Sequence, residues 1–149
     1  MEETSKRALA IDIAMRFIGT PYLWGGDDPV KGFDCSGFVI EVLKSLGKLP
    51  RSGDWTAEML YPMFPNVARP RGGCLVFWHA GSDRSRIIHV EMCISNELSI
   101  GASGGGSKTK TVEDAINQNA YIKVRPFNSR SNIRGITDPF FNTLTEKGD

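Results

Sequence analysis

The period of the hydrophobic pattern changes once along this chain, near residue 72, and that change restricts the fold more than any motif. Before it, Leu9, Ile13 and Phe17 recur at helical spacing through residues 5–18, with Gly19 and Pro21 marking the end. Phe38, Val39, Val42, Leu43 and Leu46 then form one stripe, opposed by Glu41, Lys44 and Ser45. This predicts a second helix from about Cys35 to Leu46, stopped by Gly47. Residues 54–61 predict a short third helix capped by Asp54. After ARPRGG, the runs CLVFWH, IIHVEMCI, ELSIGAS and YIKVRPF are rich in β-branched and aromatic residues, and the turn-like SDRS and SN divide them. Helices first and an antiparallel meander second predict an α+β domain, its N-terminal helices packed on an antiparallel β-sheet. From Asn128 onward the pattern fades. Residues 5–127 therefore read as the core and residues 128–149 as a tail wrapping the surface.

A chain of 149 residues suits a single domain, and the glycine-rich GASGGGSKTKT, residues 101–111, is too short to divide it. Lys+Arg of 18 against Asp+Glu of 17 leaves a net charge of +1, which gives no reason to expect nucleic acid as a partner. No apolar run is long enough to predict membrane insertion. The first residues are acidic and amphipathic, without the apolar segment or cleavage site of a signal peptide, so cytoplasmic synthesis without a secretion signal is expected. Cys35, Cys74 and Cys93 are odd in number and form no framework, and they read as free thiols.

The stretch GFDCSGF, residues 32–38, sets a cysteine in polar company at a predicted helix start. Asp34 stands at the cap, so Cys35 falls in the first turn, where N–H groups and the macrodipole are expected to lower a thiol pKa. A thiolate nucleophile needs a base, and the chain has two histidines, His79 and His89. His89 lies within the strand-like IIHVEMCI, which suits a rigidly presented side chain. His79 ends a strand beside AGSD and reads as a mobile loop residue. The alternatives are a structural cysteine and a satisfied core or surface histidine. A zinc site from Cys74, His79, His89 and Cys93 has usable ligand types. However, positions 74 and 79 face opposite sides of a strand and Cys35 is left unused, so no metal is expected. GASGGGSKT lacks the Lys directly after its last glycine that a phosphate-binding loop needs, and it reads as a loop near the rim of a site.

Taken in order, TPYLWGG, GFDCSGFV, LPRS, GGCLVFWH and IIHVEMCISNELSIGAS resemble the NlpC-type cell-wall cysteine peptidases across roughly residues 5–125. The resemblance implies a papain-like α+β fold and a peptidase without a cofactor. Its reaction would be hydrolysis of peptidoglycan stem peptides, at the γ-D-glutamyl to diamino-acid bond, through a Cys–His thioester mechanism. Carried over by position, Cys35 is the nucleophile and His89 the base. Tyr22 lies beside the nucleophile, and Asp34 and Ser36 line the substrate cleft. Trp24 adjoins them; for both aromatics, core packing is the competing reading.

Cys74 replaces an acid the family often carries, and Gly101 stands where the family's third polar residue would orient the histidine. Strand alternation puts His89, Glu91 and Cys93 on one face, so Glu91 reads either as a substitute orienting group or as a solvated outward charge. Asn117, Gln118 and Asn119 are the next candidates. A non-catalytic wall-binding or phage-tail module, or an amidase or acyltransferase of the same superfamily, are the alternative functions. Peptidoglycan lies outside the cytoplasm, so phage delivery, lysis, dedicated export or cytoplasmic recycling would have to unite enzyme and substrate. Phage virion components are among the partners this allows.

Overall fold

The computed structural model describes residues 2–28 and 32–142. Its elements are α1 (Glu3–Met15), β1 (Asp27–Asp28), β2 (Gly32–Phe33), α2 (Cys35–Ser45) and α3 (Ala57–Leu60), which runs into a 3₁₀ turn at Tyr61–Met63. Then follow β3 (Leu75–His79), β4 (Ile87–Cys93), β5 (Leu98–Ser103), α4 (Val112–Asn117), β6 (Tyr121–Pro126), a 3₁₀ turn at Phe127–Ser129, and β7 (Ile133–Thr137). The five longer strands form one antiparallel sheet in the order β6-β5-β4-β3-β7. The α+β class expected from the change of period is what the chain adopts.

Three local expectations are corrected. The third helix is capped by Thr56, whose hydroxyl accepts from the Met59 N–H at 3.1 Å; Asp54 instead accepts from its neighbour Trp55. Helix α4 lay unpredicted within TVEDAIN, although Thr111 and Asp114 form a capping box at its start. Residues 143–149 lie outside the described residues, and the described part of the tail, residues 128–142, does more than wrap the surface. Its strand β7 pairs with β3, Phe140 is buried in the main core, and Asp138 holds Arg7 of α1 through bonds of 3.0 and 2.6 Å. Core packing therefore extends beyond residue 127, because β7 finds its partner far away in sequence.

Helices α1 and α2 cover one face of the sheet. Ala10, Ala14, Phe38, Val39, Val42 and Leu43 pack there on Leu75, Phe77, Val90, Met92, Ile100 and Ile122. Each such large apolar side chain contributes roughly 1.5–3 kcal/mol on burial. The opposite face carries a second cluster of Val67, Cys74, Val76, Trp78, Cys93 and Phe127. Alternation along β4 sends Val90 and Met92 to the helix face and His89, Glu91 and Cys93 to the other. Between β4 and β5 the ladder holds only Met92 to Ile100 and Cys93 to Ser99. Toward the start of β4 the two strands part.

Candidate active site

The start of α2 meets that parting. Asp34 caps the helix by accepting the Gly37 N–H at 2.7 Å, with the Ser36 hydroxyl at 3.4 Å. Gly37 is required by close approach: a Cβ there would lie 2.1 Å from the Gly26 carbonyl oxygen. The Gly25–Gly26 turn thus presses against the helix start and sets Cys35 at the first position of α2. The backbone N–H groups of Ser36 and of Val90, the residue after His89, are near enough to the Cys35 sulfur to favour its thiolate. The head of α2 is in this way set beside β4 at the residue that follows His89, from the opposite half of the sequence.

The thiol is not acidified, contrary to the expectation from its first-turn position. Burial, reinforced by the Asp34 charge, pushes Cys35 up to about 11, against the Val90 and Ser36 donors and with Glu91 adding to the rise. The resting sulfur is a neutral thiol. Burial also raises Tyr22, with the Cys35 and Asp34 charges behind it, so its phenol remains a hydrogen-bond donor.

His89 is buried, its ring centroid 5.2 Å from that of Trp78. Its Nε2 lies 2.6 Å from Oε2 of Glu91, which is fully buried rather than solvated. The other carboxylate oxygen, Oε1, accepts the Ser99 hydroxyl at 2.8 Å, and Arg125 donates to Oε2 at 3.2 Å. Burial works to raise Glu91, but the His89 bond and charge, the Arg125 charge and the Ser99 bond outweigh it and hold the carboxyl below its usual range. Burial pushes the His89 imidazole down, opposed by Glu91 and aided by Arg130 and Arg125. At rest this is a neutral imidazole on an ionised carboxylate.

Gly101 explains how a glutamate fits there. A Cβ built on Gly101 would lie 2.4 Å from Glu91 Cγ and 2.9 Å from its Cδ. The volume that a side chain at 101 would fill is occupied from the neighbouring strand.

A cleft of about 670 Å³ opens over the sulfur, lined among others by Tyr22, Trp24, Asp34, Cys35, Ser36 and Arg86. Burial raises the Asp34 carboxyl, against its bonds from Gly37, Ser36 and Gly25. Tyr22 is buried while Trp24 is 57% exposed, so Trp24 forms the rim and is not core. His79 is not mobile: it is buried at the end of β3, with Nδ1 2.7 Å from the Ala80 carbonyl oxygen. Gln118 is engaged with Thr109 and Lys108, away from His89. Cys74 and Cys93 lie in the second cluster, both thiols raised foremost by burial. Among the described residues no group of three or more His, Cys, Asp or Glu side chains could hold a metal ion, and no helix is long and apolar enough to cross a membrane. Sequence reasoning missed Ser99 and Arg125; the alternation that put Glu91 with His89 would have found Ser99 had the register of β5 been known.

The profile of the NlpC/P60 family matches residues 19–126. The probable peptidoglycan endopeptidase LytE of Bacillus subtilis is 30% identical over 117 residues, covering 76% of this chain and 32% of LytE. The murein DD-endopeptidase MepH of Escherichia coli is 33% identical over 90 residues, covering 59% of this chain and 33% of MepH. The chain thus spans about a third of the length of these two relatives. The crystal structure of the NlpC/p60 domain of the peptidoglycan hydrolase SagA superposes with a TM-score of 0.66 at 25% identity, over 89% of this chain and 97% of that domain.

Proposed function

The chain belongs to the NlpC/P60 family, and we propose that it is a cysteine peptidase that hydrolyses the stem peptides of bacterial peptidoglycan. The observation that carries this reading is the convergence at the head of α2. The Val90 N–H, next to His89, acts on the Cys35 sulfur, and the His89 ring is braced by a buried carboxylate. That connected arrangement favours catalysis over a non-catalytic wall-binding module.

With thiol and imidazole neutral at rest, His89 takes the Cys35 proton as the sulfur attacks the scissile carbonyl carbon. The oxyanion that forms is stabilised by the Cys35 backbone N–H, which the other first-turn bonds leave available, and by the Tyr22 hydroxyl. Collapse breaks the C–N bond, the imidazolium gives its proton to the leaving amine, and a thioester remains on Cys35. His89 then takes a proton from water, whose oxygen displaces the sulfur, and the thiol is restored. Glu91 fixes the ring and stabilises the transient imidazolium. Asp34 and Ser36 bind the free amino end of the stem peptide, and Trp24 walls the cleft.

The bond proposed is that between γ-D-glutamate and the diamino acid. The name of MepH, a DD-endopeptidase, makes the cross-link bond the second candidate. Action on the wall would follow phage delivery, lysis or dedicated export, or the enzyme would recycle wall fragments in the cytoplasm. Incubation with defined linear and cross-linked muropeptides, followed by mass mapping, tests the reading. A new γ-D-glutamyl carboxyl end is expected. Cleavage confined to cross-links would favour the second bond, and intact substrates would return the protein to the binding-module class.

A further inference from the structure

Glu91 is reached from two strands away. The strand order β6-β5-β4 places β5 between Arg125 and Glu91, and strands lie about 4.8 Å apart, so the two side chains must cross roughly 10 Å. What β5 offers between them is small. Ser99 pairs with Arg125 and Gly101 with Lys123, and these two β5 residues share the face that carries Glu91. The space left by Gly101 receives the Glu91 stem, and the short Ser99 lets Arg125 pass over to the carboxylate.

The division of the carboxylate is specific. Ser99 holds Oε1, whereas Arg125 donates to Oε2, the same oxygen that meets His89 Nε2. We propose that Arg125 is a positioning residue: by sharing Oε2 with His89 it fixes the carboxylate and sets the proton affinity of an imidazole two strands away. This deepens the catalytic reading of Cys35 and His89 and rests on it.

Among the described residues, the charged groups that act on His89 include Glu91 on its own strand, Arg125 from β6 and Arg130 after it, and the Cys35 thiol stands at the head of α2 beside Val90. The Glu91 charge is felt by Lys123, Arg130, Cys93 and Cys35. Removing the Arg125 cation eliminates a charge that disfavours imidazolium and frees Oε2 for His89 alone. Both effects favour protonation of the ring.

The test is a ¹H–¹⁵N titration of the His89 ring in the full chain, with His79→Gln assigning the second histidine, alongside the pH dependence of kcat/KM. Arg125→Gln should move the His89 midpoint to higher pH, carry the acid limb with it, and lower kcat about tenfold with KM nearly unchanged. Arg125→Lys should recover most of both. If glutamine impairs folding, Arg125→Met, of similar length, is read in the same way. A midpoint and acid limb that stay in place, even with a lower melting temperature, would reduce Arg125 to a structural residue and overturn the proposal. The titration needs no substrate. A moved midpoint in a protein that cleaves no muropeptide would sink the proposed activity while leaving the Arg125 assignment standing.

Discussion

The two faces of the sheet are built from the same strands and solve different problems. Under the helices, Leu75, Phe77, Val90, Met92, Ile100 and Ile122 form an apolar layer. Across the sheet, His89, Glu91 and Ser99 are equally buried but polar, set among Val76, Trp78, Cys93 and Phe127. An unpaired buried carboxylate costs several kcal/mol, which is why Glu91 is met by His89, Ser99 and Arg125 together. The first face secures the fold, and the second gives up apolar packing to hold one ring in place.

The sharpest way to separate the faces is to remove the chemistry without the fold. Cys35→Ala should abolish turnover of muropeptides, and His89→Ala should lower the rate roughly 10²–10⁴-fold, both with nearly unchanged circular dichroism. Activity retained in Cys35→Ala would end the nucleophile assignment. The mirror experiment is Phe38→Ala on the helix face, a fully buried ring. It should cost about 3–5 kcal/mol in denaturant unfolding while the folded fraction keeps its kcat. A loss of kcat in that fraction would mean that the faces are coupled.

Smaller perturbations probe the polar seam itself. Gly101→Ala drives a methyl into the Glu91 stem and should displace the carboxylate from His89, lowering kcat about tenfold; wild-type kcat would show that the ring does not need Glu91. Glu91→Gln removes the anion that favours imidazolium and opposes the Cys35 thiolate. His89 should then release its proton at lower pH, and so should Cys35, so both limbs of the kcat/KM profile should move down. In the parent enzyme the acid limb should lie below the ordinary imidazole value of about 6.5, since burial lowers His89. An upward shift in Glu91→Gln would reverse the electrostatic assignment.

Much of this site could be read along the chain, because its pieces are local. Helical spacing after Cys35 and alternation through IIHVEMCI were enough to put the thiol at a helix start and Glu91 on the face of His89. What the sequence concealed depends on distant partners. Strand β7 offers only Ile133 and Ile136 around a glycine, and becomes a strand because β3 has a free edge for it. The Cys35 thiol departs from the local expectation because the dipole of α2 is a local property, whereas its burial and the nearby Asp34 and Glu91 charges exist only in the fold. Arg125 and Ser99 carry no motif at all. Their role comes from register.

The fit between Gly101 and Glu91 also bears on how such a site could arise by mutation. A side chain at 101 competes for the space that a glutamate at 91 fills, so the glycine eases the arrival of the glutamate. Neighbouring substitutions of this kind are not additive. The passage is therefore order-dependent and hard to reverse: once Glu91 is present, regaining a bulky residue at 101 is blocked until the glutamate is lost. The two adjacent strands thus act as one unit at this point, and the effect of a mutation at either position depends on the residue at the other.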